Sequence, residues 1–212
     1  MYAAIFALVL VILLLPACAA PQPSLATHAL LATYFTSNGE HGVFLASSDD
    51  ADTFTPLIEP NIPILRPTIG KDRLIRDACI LSTPRVADSA TGRPSDRRWH
   101  MVWTTGWWDR GFGIAHSADL PNWTDPKYIP AMEHEAAALN CWAPEIAYDP
   151  ARDEYIIFWA TTIPGRFHET DLAGDDGPDG AKLNHRIYAT RTRDFFTYSP
   201  AALFYNPGFS CI

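Results

Sequence analysis

The chain has 212 residues, with 16 basic against 24 acidic side chains and a net charge of -8 at pH 7. A field of that sign repels phosphate backbones, which excludes nucleic acid as a natural partner. Hydrophobic residues make up 48% of the chain, yet nineteen of the first twenty belong to that set; the rest falls to about 43%, ordinary for a globular protein and too low for a bundle of membrane spans.

Residues 1–20 read as a leader. Ala3 to Leu15 is an unbroken apolar run of thirteen residues, followed by Pro16 and the small residues Ala17 to Ala20. A bilayer span needs about 20 apolar residues, so this run has the form of a secretory signal peptide with cleavage near Ala19 or Ala20. No Lys or Arg precedes it. Leu15-Pro16-Ala17-Cys18 also resembles a bacterial lipobox, which would put a lipid anchor on Cys18. On either reading the protein is exported and is expected to be secreted, at the cell surface or in the periplasm. The other cysteines, Cys79, Cys141 and Cys211, form no C-x-x-C pair and have no zinc-type spacing. They read as small buried residues.

Beyond the leader one passage recurs three times. It runs Leu31 to Ser37, Gly42 to Ser48 and Asp52 to Thr55; then Trp99 to Thr105, Gly111 to Ser117 and Asp119 to Thr124; then Tyr155 to Thr161, His185 to Thr190 and Asp194 to Thr197. Taking Phe44, Ile114 and Ile187 as equivalent gives a period near 70 residues. One complete unit predicts strands over Ala78–Leu81, Arg98–Thr104, Phe112–Ser117 and Lys127–Ile129, and the next over Glu145–Tyr148, Tyr155–Ala160, Arg186–Thr190 and Ala202–Tyr205. Eighteen Pro, twelve Gly and 12% aromatics agree with many short strands and turns. Repeated four-stranded antiparallel sheets make an all-β propeller, because each sheet has an apolar face that only its neighbours can cover. The first copy lacks an inner strand of its own. The domain at 31–212 therefore supplies under three blades, where closure takes at least about four. The expectation is an incomplete ring, with another inner-strand aspartate soon after Ile212.

In an antiparallel blade, the start of the inner strand and the loop between the second and third strands share one face. Asn38 to His41, Gly106-Trp-Trp-Asp-Arg110, Glu133-His-Glu135 and Gly165-Arg-Phe-His168 fall on that mouth. Repeat alignment puts Asp77 and Glu145 at one position in adjacent blades, both pointing at the axis. Paired carboxylates beside Trp suit glycoside hydrolysis, in which one activates water and another protonates the leaving oxygen. Each carboxylate taken alone serves equally well as a cap for neighbouring backbone N–H groups. Trp107 and Trp108, in a loop, read as binding residues, while Trp103 and Trp159, within strands, read as core. His134-Glu135 begins like a zinc-protease motif but has Ala138 where the second His belongs. The acidic run Asp171 to Gly180 departs from the EF-hand spacing and reads as a solvated loop.

Arg76-Asp-Ala-Cys-Ile80, Trp103-Thr-Thr-Gly-Trp-Trp108, Asn140-Cys-Trp-Ala-Pro-Glu-Ile146 and Trp159-Ala-Thr-Thr-Ile-Pro-Gly165 resemble glycoside hydrolase family 43. The resemblance, from Leu31 to the C-terminus, implies a five-bladed propeller that releases arabinofuranosyl or xylosyl units with inversion. It implies Asp77 as general base, with Ala78 where the family has Pro. It implies a substrate pocket lined by Glu145, Trp107, Trp108, Trp142, Arg76, Arg166 and His168. The partner would be an arabinose- or xylose-containing glycan. No cofactor is required, although some members carry an axial calcium, whose ligands the sequence does not identify. No residue matches the family's general acid or the aspartate that tunes it. The chain alone is therefore expected to be inactive, the competing reading being a propeller that binds sugar without cleaving it.

Overall fold

The computed structural model describes residues 30–59, 62–83, 99–173 and 175–212. The leader with Cys18, and the strand start expected at Arg98, lie outside the described residues. The first unit holds β1 (Leu30–Phe35), β2 (Val43–Ser48) and β3 (Thr55–Pro56), and the second β4 (Arg76–Ser82), β5 (Trp99–Thr104), β6 (Phe112–Ser117) and β7 (Lys127–Ile129). The third begins with β8 (Trp142–Asp149) and β9 (Glu154–Thr161). A 3-10 turn (His168–Ala173) and a two-residue hairpin of β10 (Asp175–Asp176) and β11 (Lys182–Leu183) follow, before β12 (Arg186–Thr192) and β13 (Ala202–Tyr205) complete the sheet. The acidic run read as a plain loop thus carries this hairpin. The strand orders β1-β2-β3, β4-β5-β6-β7 and β13-β12-β9-β8 are antiparallel throughout. They form two full blades and one three-stranded sheet, with no closed ring among the described residues.

Alternation along β5 shows why the sheets stack. Met101 and Trp103 point into one core with Val43, Leu45, Ile75 and Ala115, while Val102 on the opposite face joins Phe112, Ile114, Ile146, Ile157 and Trp159 in a second. The middle blade is therefore covered on both faces, and Trp103 and Trp159, each fully buried, occupy equivalent places in the two interfaces. Gly113 lies opposite Trp103 in the register. A Cβ there would stand 2.1 Å from the indole, so the ring can cross the strand only because that residue is glycine.

The repeat is fixed by a turn after β2, β6 and β12, the matching strands of the three units. Ser48, Ser117 and Thr192 accept, on their side-chain oxygens, the N–H groups of Ala51, Leu120 and Phe195 at 2.8–3.0 Å. Those three donor residues all have positive φ, at 67°, 74° and 59°. Asp50, Asp119 and Asp194 then accept the N–H groups of Thr53, Asn122 and Thr197. Local hydrogen bonds of this kind offset the cost of left-handed backbone at non-glycine residues. They also correct the repeat register. The aspartate of the first copy is Asp50 rather than Asp52, and Phe44 corresponds to Gly113 and Tyr188 rather than to Ile114 and Ile187. The apolar content of the strands concealed a one-residue slip at the strand positions, and the turn aspartate was displaced by two.

Gly113→Ala is expected to cost about 1–3 kcal/mol through overpacking against Trp103, measured by urea unfolding. A second outcome follows from the turns. The Thr53 and Thr197 N–H groups lead in lowering the pKa of Asp50 and Asp194, and the Asn122 side chain leads at Asp119. A carboxyl lowered on folding adds stability that is complete above its unfolded pKa and lost as pH falls through the folded one. Unfolding midpoints should hold down to about pH 4 and decline below it, with a shallower decline in Asp194→Asn.

Candidate active site

Two bulges at the starts of β4 and β8 shape the mouth. Arg76 pairs with Thr104 and pairing resumes at Cys79 with Val102; Trp142 pairs with Ala160 and pairing resumes at Glu145 with Phe158. The extra residues include Asp77 and Ala143, at φ +50° and +45°. A bulge re-aims the side chains of an inner strand, and left-handed backbone there is a strain that neighbouring bonds must hold. Thr104, itself buried, supplies one such bond to each blade. Its hydroxyl oxygen accepts the Ala143 N–H at 2.9 Å, so its own proton is free to go to Asp77 Oδ2 at 3.3 Å.

The same register corrects the pairing of Asp77 with Glu145. Ala143 occupies the place equivalent to Asp77, and Glu145 stands where β4 has Cys79. Repeat alignment missed this because 16 residues separate β4 from β5 and only 4 separate β8 from β9, so a register fixed on the second strands does not carry back to the inner ones. Glu145 is exposed, with no hydrogen bond or ion pair among the described residues, and borders a groove of about 450 Å³ with Thr33, Ala78, Cys79 and Ile80.

On the mouth itself the aromatic residues converge. Trp142 Nε1 donates to the Trp107 carbonyl at 2.6 Å, and its ring lies 5.6 Å from Trp107 edge-on and 5.5 Å from Trp108. The His185 ring lies tilted against the Trp142 ring, with centroids 4.9 Å apart. Trp107 and Trp108 are each 37% exposed, so the cluster presents apolar surface to solvent. The Arg76 guanidinium lies over the Trp107 ring at 4.4 Å. Around the rim, Arg110 pairs with Glu133 at 2.8 Å and Arg166 pairs with Glu135. The Arg166 guanidinium holds the Glu135 carboxyl below the usual range. His168, by contrast, is almost fully exposed and meets Glu169 at 3.7 Å, with no contact to the tryptophans.

Two aspartates that the sequence did not single out build the loop. Asp109 is 2% exposed and accepts the Thr105 hydroxyl at 2.7 Å and the Lys71 N–H at 3.1 Å. Gly70 and Gly106 admit it, since a Cβ on either would stand 2.6–2.7 Å from its Oδ2. Asp72 accepts the Trp107 N–H at 2.8 Å. An acidic residue inside Trp-Trp-Asp was the available signal for Asp109; nothing in the sequence marks Asp72. Among the described residues, no group of three or more His, Cys, Asp or Glu is placed to hold a metal ion. Cys79, Cys141 and Cys211 are free thiols, with burial raising the pKa of Cys79 and Cys141. No helix among the described residues is long and apolar enough to cross a membrane.

This fold defines an all-β class of protein built of antiparallel blades. The family model described as "Probable glycosyl hydrolase domain", a group related to glycosyl hydrolase family 43, matches residues 26–212, and the chain belongs to that family. No curated protein matches it in sequence. An N-acetylgalactosamine deacetylase from F. plautii, solved with blood group B trisaccharide, is similar at 13% identity and TM-score 0.51 over 86% of this chain and 53% of that one. That likeness shows the fold. A family 43 protein from Bacillus licheniformis (20% identity, TM-score 0.38) and an alpha-L-arabinofuranosidase from Lactobacillus brevis (15%, 0.40) match 61% and 63% of this chain, and 22% and 37% of their own. The chain thus spans about half the length of the first of these structures and less of the others.

Asp109→Ala strips the buried Thr105 hydroxyl and the part-buried Lys71 N–H of their acceptor, the buried donor costing about 1–3 kcal/mol. The variant should unfold at lower urea and show weaker near-UV circular dichroism from the Trp107–Trp142 pair. Wild-type values for both would contradict the role given to Asp109.

Proposed function

We propose that this chain forms the base side and the sugar platform of an exported glycosidase site that acts on arabinofuranosyl or xylosyl units of a plant-type glycan. The observation that carries the reading is the cluster of exposed Trp107 and Trp108 with half-buried Trp142 on the same mouth as the bulged Asp77. Flat indoles cover the apolar faces of sugar rings, and Asp77 is offered as the general base that activates water for inversion. Arg76 and Trp142 flank the base, Glu145 borders the neighbouring groove, and Arg166 with Glu135 frames the rim. His168 has no part in this platform. Export rests on the leader at 1–20, with Cys18 as the anchor if the lipobox is used. No cofactor enters the scheme.

One feature favours the second reading, a module that holds sugar without cleaving it. The position equivalent to Asp77 in the next blade is Ala143, and no described residue is assigned as the acid that protonates the leaving oxygen. Hydrolysis by this chain alone should therefore be undetectable, whereas sugar binding should be measurable. Purified monomeric protein should release no 4-nitrophenol from the arabinofuranoside or xyloside; steady release would contradict the inactive assignment. Trp108→Ala should weaken binding of a pentose oligosaccharide by about 0.5–1.5 kcal/mol in calorimetry. Unchanged affinity would remove the platform.

A further inference from the structure

Arg76 precedes the candidate base and is held in an unusual way. Its guanidinium carbon lies 5.0 Å from the Phe35 ring centroid and 4.4 Å from that of Trp107, so it packs against two aromatic rings. One in-plane edge is fixed as well, since Nη1 donates to Asn38 Oδ1 at 2.6 Å and to the Asn38 carbonyl at 3.4 Å. Nε and Nη2 donate to no acceptor among the described residues. Arg110 and Arg166 on the same rim are each neutralised by a glutamate. The nearby carboxylates make their hydrogen bonds elsewhere: Glu40, which feels the Arg76 charge at a distance, accepts the Asn38 N–H at 2.9 Å, Asp72 accepts the Trp107 N–H, and Asp77 accepts the Thr104 hydroxyl. What remains is a half-buried, orientationally fixed fork of N–H donors beside the indole platform.

We propose that Arg76 selects a glycan carrying a uronic acid unit, whose carboxylate takes the open fork in two parallel charge-assisted hydrogen bonds. The proposal rests on the reading of this mouth as a sugar site. The chain's net charge of -8 repels polyanions at a distance, which fits one acidic unit on a neutral glycan better than a polyuronide. A planar guanidinium held by two rings and by Asn38 loses little freedom when it binds, and this favours a planar, two-oxygen partner over a single hydroxyl.

The test is calorimetric titration of the full chain with a xylo-oligosaccharide bearing one glucuronic acid and with the same oligosaccharide unsubstituted. The acidic form should bind about tenfold tighter at low salt, a preference that shrinks toward 1 M salt. In Arg76→Met the ratio of the two affinities should fall to about one, and Arg76→Lys should retain part of it. Equal affinities in the wild type, or a ratio unchanged in Arg76→Met, would overturn the selectivity and leave the sugar site standing. Binding of neither oligosaccharide would overturn the sugar-site reading and this proposal with it.

Discussion

The constraint on which the structure depends is that a four-stranded sheet with one apolar side must be covered by another sheet. Strand β5 meets it in both directions, sending Met101 and Trp103 to the first unit and Val102 to the third. Because alternation along a strand is strict, this choice also fixes which residues reach the ends of the blade. Thr104 follows Trp103 and arrives at the mouth with its hydroxyl between two inner strands. The site is thus a consequence of how the core is packed, with the bulges as its one departure from regular pairing.

Those departures concentrate the chemistry. At Asp77 and Ala143 the inner strands leave the ladder for a left-handed residue, and the bonds that hold them come from the adjacent strand and blade. Asp109, buried under the tryptophan loop, plays the corresponding part for Trp107 and Trp108 by tying residues 105 and 71 together. A carboxylate so buried is stable because its oxygens are bonded, and its removal would disturb aromatic residues it does not touch.

Much of this was legible in the sequence. The three repeats gave the sheet order and most strand limits, because alternating apolar residues and recurrent turn residues are local signals. Trp103 and Trp159 declared themselves as core by position within strands, and Trp107 and Trp108 as surface by position in a loop. Register was not legible to a single residue. The Ser48, Ser117 and Thr192 turns set it, and their Ser/Thr-x-Asp pattern is faint beside the apolar matches that pulled the alignment one place away. The pairing of Asp77 with Glu145 failed because the connection from inner to second strand differs in length between the two blades, which breaks the period before the inner strand is reached. His168 shared the mouth loops by sequence but turns to solvent, a matter of local backbone direction that spacing does not encode.

The central claim is that the three tryptophans of the mouth, and not those of the core, form the sugar-binding surface beside Asp77. Indole N–H resonances followed by NMR during titration with a pentose oligosaccharide test it most directly. The account predicts saturable shifts for Trp107, Trp108 and Trp142, with Trp103 and Trp159 unmoved. Shifts absent at all three mouth indoles, or confined to others, would contradict it.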